Sequence, residues 1–234
     1  MKYCLINQAA GLGDIIFCQK IAIKIKERYN IPIIWPVIPE YLHIKDYIDN
    51  DIIFVDVNSN FQGKNYMQTK TSFANDELIY LALNRANLNI GGRIMEAKYK
   101  SVQLSHEDWV DYFSFKRNKE KENCLFYDIL KLKDSEEYIL VNKQFSSPPH
   151  TIIWDIKFPS NFKKVDMCYV EDFSIFDWCK VIEEATGIYT MDSSITLFIE
   201  KLNTKAKYIE ITSRRPGNWS EVDYLYKKPF KKAN

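Results

Sequence analysis

A chain of 234 residues is long enough to bury one large α/β core or two small ones. Its formal net charge of +1 gives no reason to expect nucleic acid or an anionic membrane as a partner. Five scattered cysteines without a C-x-x-C pair are typical of reduced cysteines in a reducing compartment. The first residues do not resemble a signal peptide, and no apolar run reaches the roughly 20 residues of a membrane helix. The sequence therefore predicts a soluble, cytoplasmic protein.

The first third of the chain alternates strand and helix patterns. The predicted elements are a strand over 3–6, a helix over 15–29 that stops at Asn30, a strand over 31–37, a helix over 40–48 and a strand over 52–57. This β-α-β-α-β order predicts a parallel sheet with crossover helices.

A polar, non-periodic stretch over 58–75 predicts a long loop, whose role the sequence leaves open. A strand is predicted over 78–83, a helix capped by Ser105 follows, and 124–132 is amphipathic. The polar break near 134 predicts a domain boundary, which divides the chain into domains 1–134 and 135–234.

The second domain also begins with a strand. We predict strands over 138–142, 165–170, 188–190 and 208–211, a helix that Ser174 caps and Gly187 ends, and a helix over 192–202. The fold class is therefore α/β, with two Rossmann-like halves. The basic tail (Lys227, Lys228, Lys231, Lys232) is interpreted as a frayed, solvated terminus, with weak contact to an anionic lipid or a charged acceptor as the alternative.

The strongest local motif is the turn Gly11-Leu12-Gly13-Asp14 between the first strand and its helix. Glycines allow a tight turn and a close approach of a ligand, and a helix N-terminus attracts anions. Asp14 at this position is either a helix cap or a functional carboxylate. Two glycines ahead of it favour function.

Competing sites match less well. A dinucleotide site needs a third glycine where Ile16 stands, and an acidic residue near 35–37, where Trp-Pro-Val occurs. Gly63-Lys64 is not a P-loop, because Asn65 follows it. Asp49-Asn50-Asp51 resembles a D-x-D metal motif but precedes its strand, so we interpret it as a turn. The three histidines are scattered, so the sequence predicts no metal and no cofactor.

A second motif, Asp192-Ser193-Ser194, stands where a short strand gives way to a helix. Its simplest interpretation is a doubled helix cap. Its functional interpretation is a pocket for a diphosphate, in which Asp192 accepts a hydrogen bond from a sugar or ribose hydroxyl.

Together, the Gly11-Leu12-Gly13-Asp14 turn and the Asp192-Ser193-Ser194 segment resemble motifs of the heptosyltransferase-like GT-B glycosyltransferases, in a reduced and divergent form. The resemblance implies that 1–134 is an acceptor-side domain, that 135–234 binds a nucleotide-sugar, and that the two face one cleft. It implies that Asp14 is the catalytic base, acting without a metal on a carbohydrate or glycolipid acceptor. It also implies donor-binding residues, namely Gly11, Gly13, Lys143, Asp192, Ser193 and Ser194.

The sequence departs from the family at three points. Ser194 replaces the last glycine of the family's D-S-G motif, Leu197 and Phe198 stand where a histidine is usual, and the second domain, 135–234, is shorter than is typical of the family. The missing histidine and the short second domain keep a second hypothesis open, a non-catalytic nucleotide- or sugar-binding protein on the same scaffold. A nicotinamide-dependent oxidoreductase is the third.

Overall fold

The computed structural model describes residues 2–48, 50–59, 69–84, 93–144, 159, 161–213 and 223–233. The chain divides into two compact units, Met1–Lys116 and Arg117–Asn234, each built around its own sheet. Both sheets consist mainly of parallel strands joined through helices, so the predicted α/β class is confirmed.

Within the described residues, the first unit contains five strands and four α-helices. Its elements are β1 (Tyr3–Asn7), α1 (Leu12–Phe17), α2 (Gln19–Tyr29), β2 (Ile33–Val37), a 3₁₀ segment (Pro39–Asp46), β3 (Ile52–Asp56), β4 (Phe73–Ala74), β5 (Leu78–Ala82), α3 (Ile94–Lys100) and α4 (Trp109–Tyr112). The strand order is β3-β2-β1-β5-β4; β3, β2, β1 and β5 pair in parallel, and β4 pairs antiparallel with β5.

The centre of this sheet is buried on both faces, as parallel sheets require. Every residue of β1 and of β5 is buried, and the two strands pair from Tyr3 and Leu78 to Asn7 and Ala82. This apolar pairing fixes the register, so both strands end at the same edge of the sheet.

The single helix predicted over 15–29 is two helices in the structure. It begins earlier, at Leu12, and breaks at Cys18, whose backbone (φ −85°, ψ 5°) leaves the helical region. The predicted stop is confirmed, because Asn30 ends α2 in the left-handed conformation with φ 49°. Ser105 does not cap a helix: its hydroxyl accepts from the Glu107 amide in a turn, and α4 begins only at Trp109.

The described part of the second unit also has five strands. Its elements are α5 (Lys119–Asn123), a π-helical segment (Cys124–Ile129), β6 (Tyr138–Val141), β7 (Lys163–Asp166), a 3₁₀ turn (Ile175–Trp178), α6 (Cys179–Glu184), β8 (Gly187–Met191), α7 (Ser194–Lys201), β9 (Tyr208–Thr212), a 3₁₀ turn (Asp223–Leu225) and β10 (Lys231–Ala233). All five strands are parallel, in the order β10-β9-β8-β6-β7.

The division between the units falls before the predicted boundary at 134/135. The helical segment that precedes this polar break packs on the second sheet, where the ring of Phe126 lies 6.3 Å from that of Tyr138. Arg117 adds an ionic connection, because its guanidinium pairs with Glu122 and with Glu183 of α6. The polar stretch near 134 is a surface loop inside the second unit.

Two local predictions in the second unit are wrong. Gly187 does not end a helix but begins β8, and a Cβ at this position would overlap the ring of Tyr208. The basic tail is not a frayed terminus, because β10 pairs with β9 and Lys231 lies 3.3 Å from Glu210. The Ser174 cap is confirmed, with a full capping box to Asp177.

The helices in the described ranges are all too short or too polar to cross a bilayer. All five cysteines are free; Cys4, Cys18 and Cys179 are buried, whereas Cys168 is exposed. Asp49 lies outside the described residues, so the turn predicted at Asp49–Asp51 is described only in part, with Asp51 at φ 53°.

Candidate active-site residues

The strand order of the first unit reverses between β1 and β5, and we call the region beyond the carboxyl ends of these two strands the crevice. The chain proceeds from β1 to β2 and β3 on one side and then returns to β5 on the other side of β1. Ligands of open α/β sheets bind outside the strand ends at such a reversal. The Gly11–Asp14 motif follows β1 directly and therefore lies at this point of the sheet.

Only one of the two glycines in this motif makes the turn. Gly11 has φ 87° and ψ 91°, a conformation that L side chains rarely adopt, and it precedes the first turn of α1. A Cβ at Gly11 would lie 2.5 Å from Asp14 Oδ2. Gly13 is an ordinary helical residue of α1. The absence of a side chain at Gly11 thus permits the turn and leaves the space that the Asp14 carboxylate occupies.

Asp14 is the third residue of α1, and its side chain does not cap the helix. The alternative interpretation of Asp14 as a cap is therefore wrong. Its Oδ1 instead lies 2.9 Å from the ammonium of Lys98. The Asp14 side chain is 32% exposed whereas that of Lys98 is 1% exposed. The carboxylate is accessible, and its counterion is buried.

Lys98, which the sequence did not single out, connects three parts of the crevice. Its Nζ donates to the Leu83 carbonyl at 2.7 Å and to the side-chain oxygen of Gln8, in addition to its pairing with Asp14. The Gln8 amide in turn donates to the Ala10 carbonyl at 2.6 Å. One buried ammonium thus joins the ends of β1 and β5 to the first turn of α1.

No local pattern marks Lys98 as a site residue. It stands among alternating charged residues at the end of α3, where a lysine usually lies on a solvated face. Its burial results from the packing of α3 over the strand ends, which only the tertiary fold specifies. The one usable signal is its buried neighbours Ala97 and Tyr99, which place this turn of α3 inside the core.

A second set of hydrogen bonds begins at Asn7, the last residue of β1. The Asn7 amide donates to the Tyr80 hydroxyl at 2.7 Å, and that hydroxyl donates to the Thr69 carbonyl at 2.8 Å. Burial raises the pKa of the Tyr80 hydroxyl. Thr69 belongs to the predicted 58–75 loop, of which 60–68 lie outside the described residues. The end of this loop is therefore tied to the sheet at the crevice.

The second unit has an equivalent reversal between β6 and β8. The Asn142 backbone N–H donates to the Tyr189 carbonyl at 2.8 Å, and its side-chain amide lies 3.2 Å from the Thr190 hydroxyl. Lys143 follows Asn142, and Asp192 follows β8. The fold therefore brings Lys143 and the Asp192-Ser193-Ser194 segment to one edge of the second sheet.

The start of α7 is not closed by a side-chain cap. Ser193 occupies the cap position but makes no side-chain hydrogen bond to the helix. Its hydroxyl and that of Thr212 are buried, and neither has a hydrogen-bond partner within the described parts of the chain. The Thr196 hydroxyl donates to the Met191 carbonyl at 2.6 Å. The doubled-cap interpretation therefore does not hold for Ser193.

Comparison with known proteins supports the fold. No protein-family model matches the chain, and no curated protein is significantly similar in sequence. Among solved structures, a glycosyl transferase of family 9 from Veillonella parvula DSM 2008 has a similar fold, with a TM-score of 0.57. The two sequences are 10% identical, and the match covers 99% of this chain and 86% of that one.

At this level of identity the likeness concerns the fold alone. It agrees with the resemblance drawn from the Gly11–Asp14 and Asp192–Ser194 motifs. Those motifs and the structural neighbour indicate the same class of scaffold, a mixed α/β chain with parallel sheets similar to that of a family 9 glycosyl transferase.

Proposed function

We propose that this protein is a glycosyltransferase that moves a sugar from a nucleotide-sugar donor to an acceptor hydroxyl without a metal ion. In this proposal the two units are the two halves of a GT-B enzyme and bind acceptor and donor in a common cleft. Two independent observations support it, the family 9 fold likeness and the position of each motif at a strand-order reversal.

The ion pair of Asp14 is the observation that carries the proposal. A carboxylate in the first turn of a helix ordinarily serves as a cap, yet this one is accessible and paired with a buried lysine. In the reaction, the acceptor oxygen forms a bond to the anomeric carbon as the bond from that carbon to the donor phosphate breaks. Asp14 takes the proton that the acceptor hydroxyl loses.

The leaving nucleoside diphosphate requires positive or N–H-rich support, because a metal has no part in the proposal. The first turn of α7 offers backbone N–H groups, and Lys143 supplies a positive charge at the same edge. The Asp192 carboxylate is suited to accept from a sugar or ribose hydroxyl. The unpartnered hydroxyls of Ser193 and Thr212 would find partners in the donor.

A non-catalytic binding protein is the second candidate. Leu197 and Phe198 are buried in α7 where the family usually carries a histidine, so one polar group of the donor site is absent from this position. The hydroxyls of Ser193 and Thr212 would be satisfied by a bound nucleotide whether or not transfer followed.

A thermal-shift panel of nucleoside diphosphates and their sugars, followed by a product assay on each hit, separates these functions. A ligand at 100 times its Kd stabilises the native state by about 2.7 kcal/mol. A shift with turnover supports the transferase, and a shift without turnover for any acceptor supports the binding protein. A shift with NAD or NADP alone would contradict both and favour an oxidoreductase.

A further inference from the structure

We propose that Lys98 is a positioning residue for the transfer reaction, which holds Asp14 Oδ1 so that Oδ2 receives the proton of the acceptor. This inference rests on the proposed function, because it assigns a role within that reaction. It goes beyond the two motifs, since Lys98 belongs to neither of them and lies on a different helix.

The geometry of the ammonium supports a fixed orientation. Three oxygens surround Lys98 Nζ, those of the Leu83 carbonyl, the Gln8 side chain and Asp14 Oδ1. The Leu83 carbonyl and the Gln8 side chain accept hydrogen bonds from the ammonium, and the Asp14 carboxylate pairs with it by charge. The carbonyl belongs to the backbone beyond β5 and cannot move independently of the sheet. The ammonium is therefore fixed, and it fixes one oxygen of the carboxylate.

The other oxygen of Asp14 lies beside Gly11. Oδ2 occupies the space that a side chain at residue 11 would need, and it accepts no hydrogen bond from the described part of the chain. The two carboxylate oxygens are thus inequivalent: one is neutralised by a buried charge, and the other keeps its lone pairs. Oδ2 is therefore the oxygen that we assign to the proton of the acceptor.

The burial of Lys98 indicates that it positions another residue and does not contact a substrate itself. With 1% of its side chain exposed, it is not placed to contact a substrate, whereas Asp14 is one-third exposed. Lys98 therefore acts through Asp14. Its removal is expected to slow the chemical step and to leave the affinity for the donor unchanged, because the predicted donor residues belong to the other unit.

The test is the split between kcat and KM in Lys98→Met, which keeps the length and apolar stem of the side chain. We expect kcat for transfer to fall at least 30-fold, on the order of 2 kcal/mol in the barrier, with the donor KM changed less than threefold. Lys98→Gln keeps an N–H donor without the charge, is the second variant if the first does not fold, and is expected to be intermediate.

Lys20→Met is the matched control. Lys20 is also a buried lysine of the first unit, but its ammonium binds the Ser105 carbonyl and Asp108. A purely structural role for buried lysines predicts that both variants lose thermal stability and that neither loses kcat per folded molecule. Transfer by Lys98→Met at the wild-type kcat would overturn the inference.

A double-mutant cycle in thermal unfolding distinguishes failure of this inference from failure of the proposed function. If Lys98 and Asp14 are coupled, the loss of Tm in Asp14→Asn/Lys98→Met is smaller than the sum of the single losses. Coupling in a wild-type protein that transfers no sugar to any acceptor would contradict the proposed function and, with it, the catalytic role of Lys98. Additive losses would contradict the pairing itself.

Discussion

The ammonium of Lys98 lies 2.9 Å from Asp14 Oδ1, and it reaches there from a helix that follows the last strand of the parallel core. The pairing connects the first turn of α1 to α3. It also makes the stability of the crevice depend on the charge of Asp14.

The conformation of Gly11 yields the first prediction. Gly11→Ala places a Cβ 2.5 Å from Asp14 Oδ2 and requires a backbone of φ 87°. We expect a loss of stability of about 1–3 kcal/mol and a fall in transfer of at least tenfold, because the carboxylate must move. Urea unfolding and initial-rate kinetics measure the two effects.

Asn30→Ala is the control for backbone strain. Asn30 is also left-handed, at φ 49°, but it ends α2. Its substitution by alanine is expected to cost about 1 kcal/mol and to leave kcat unchanged. If both variants lose stability equally and both keep full activity, Gly11 has no part in placing Asp14.

The Arg117 network predicts a large effect on the stability of the second unit. Glu122 is 1% exposed and its carboxylate accepts from Arg117 Nε at 2.7 Å, while the same guanidinium reaches Glu183 at 2.7 Å. Among the described residues, Arg117→Met leaves the buried carboxylate with the longer Lys119 contact alone, so we expect a loss of about 3 kcal/mol in urea unfolding.

Two further variants check the origin of this effect. In Arg117→Met/Glu122→Met no buried charge remains, and much of the lost stability should return. Lys205→Met removes an exposed partner of Glu184 and is expected to change stability little. Equal losses in Arg117→Met and Lys205→Met would show that burial of Glu122 is not the cause.

The cysteines predict a graded thiol reactivity. Burial raises the pKa of Cys4 and of Cys18 to about 12, so neither forms an appreciable thiolate near neutral pH. Exposed Cys168 should react with an aromatic disulfide reagent first, and Cys168→Ser should remove this fast phase. Rapid labelling of Cys4 in the native protein would contradict the described packing.

The same thiols give stability a defined dependence on pH. Their folded-state pKa lies above the unfolded value of about 8.5, so the folded state retains protons that the unfolded state has lost. The contribution is fully present below the unfolded pKa and is lost as the pH rises towards 12. Thermal unfolding between pH 8 and pH 11 should show Tm falling, with a shallower slope in Cys18→Ala.

The sequence predicts those parts of the fold that local patterns specify. The buried strands β1 and β5 are continuous apolar runs, and Asn30 and Ser174 have the chemistry of a stop and a cap. The helix break at Cys18 has no glycine or proline to mark it. The sequence predicts a tail where β10 lies, because its lysines are polar. The pairing of β10 with β9 is a long-range contact, which local patterns do not specify.

The residues of the candidate site also fall into those that local patterns predict and those that they do not. Asp14 and Asp192 stand directly after strands, so their position at a sheet edge follows from the parallel topology. Lys98 lies on the helix that follows β5, and Tyr80 lies on β5 itself. Neither residue can be assigned to the crevice until β5 is known to pair with β1. The charge of Lys98 and the periodicity of its helix alone predict a side chain exposed to solvent. In the structure this side chain is buried.

The two proposed halves of the site are separable by substitution. Asp192→Asn alters the edge of the second sheet and is expected to raise the donor KM at least tenfold, with a smaller effect on kcat. Isothermal titration with the donor identified in the thermal panel measures this loss directly. Unchanged donor affinity would remove Asp192 from the donor site.

The most direct test of the central claim is the single-turnover transfer rate of Asp14→Asn at saturating donor and acceptor. The amide has the shape of the carboxylate but cannot serve as the general base, so the account predicts donor affinity within threefold of wild type. It also predicts a transfer rate lower by at least 100-fold, within the usual contribution of general base catalysis. A folded Asp14→Asn protein that transfers sugar at the wild-type rate would contradict the account.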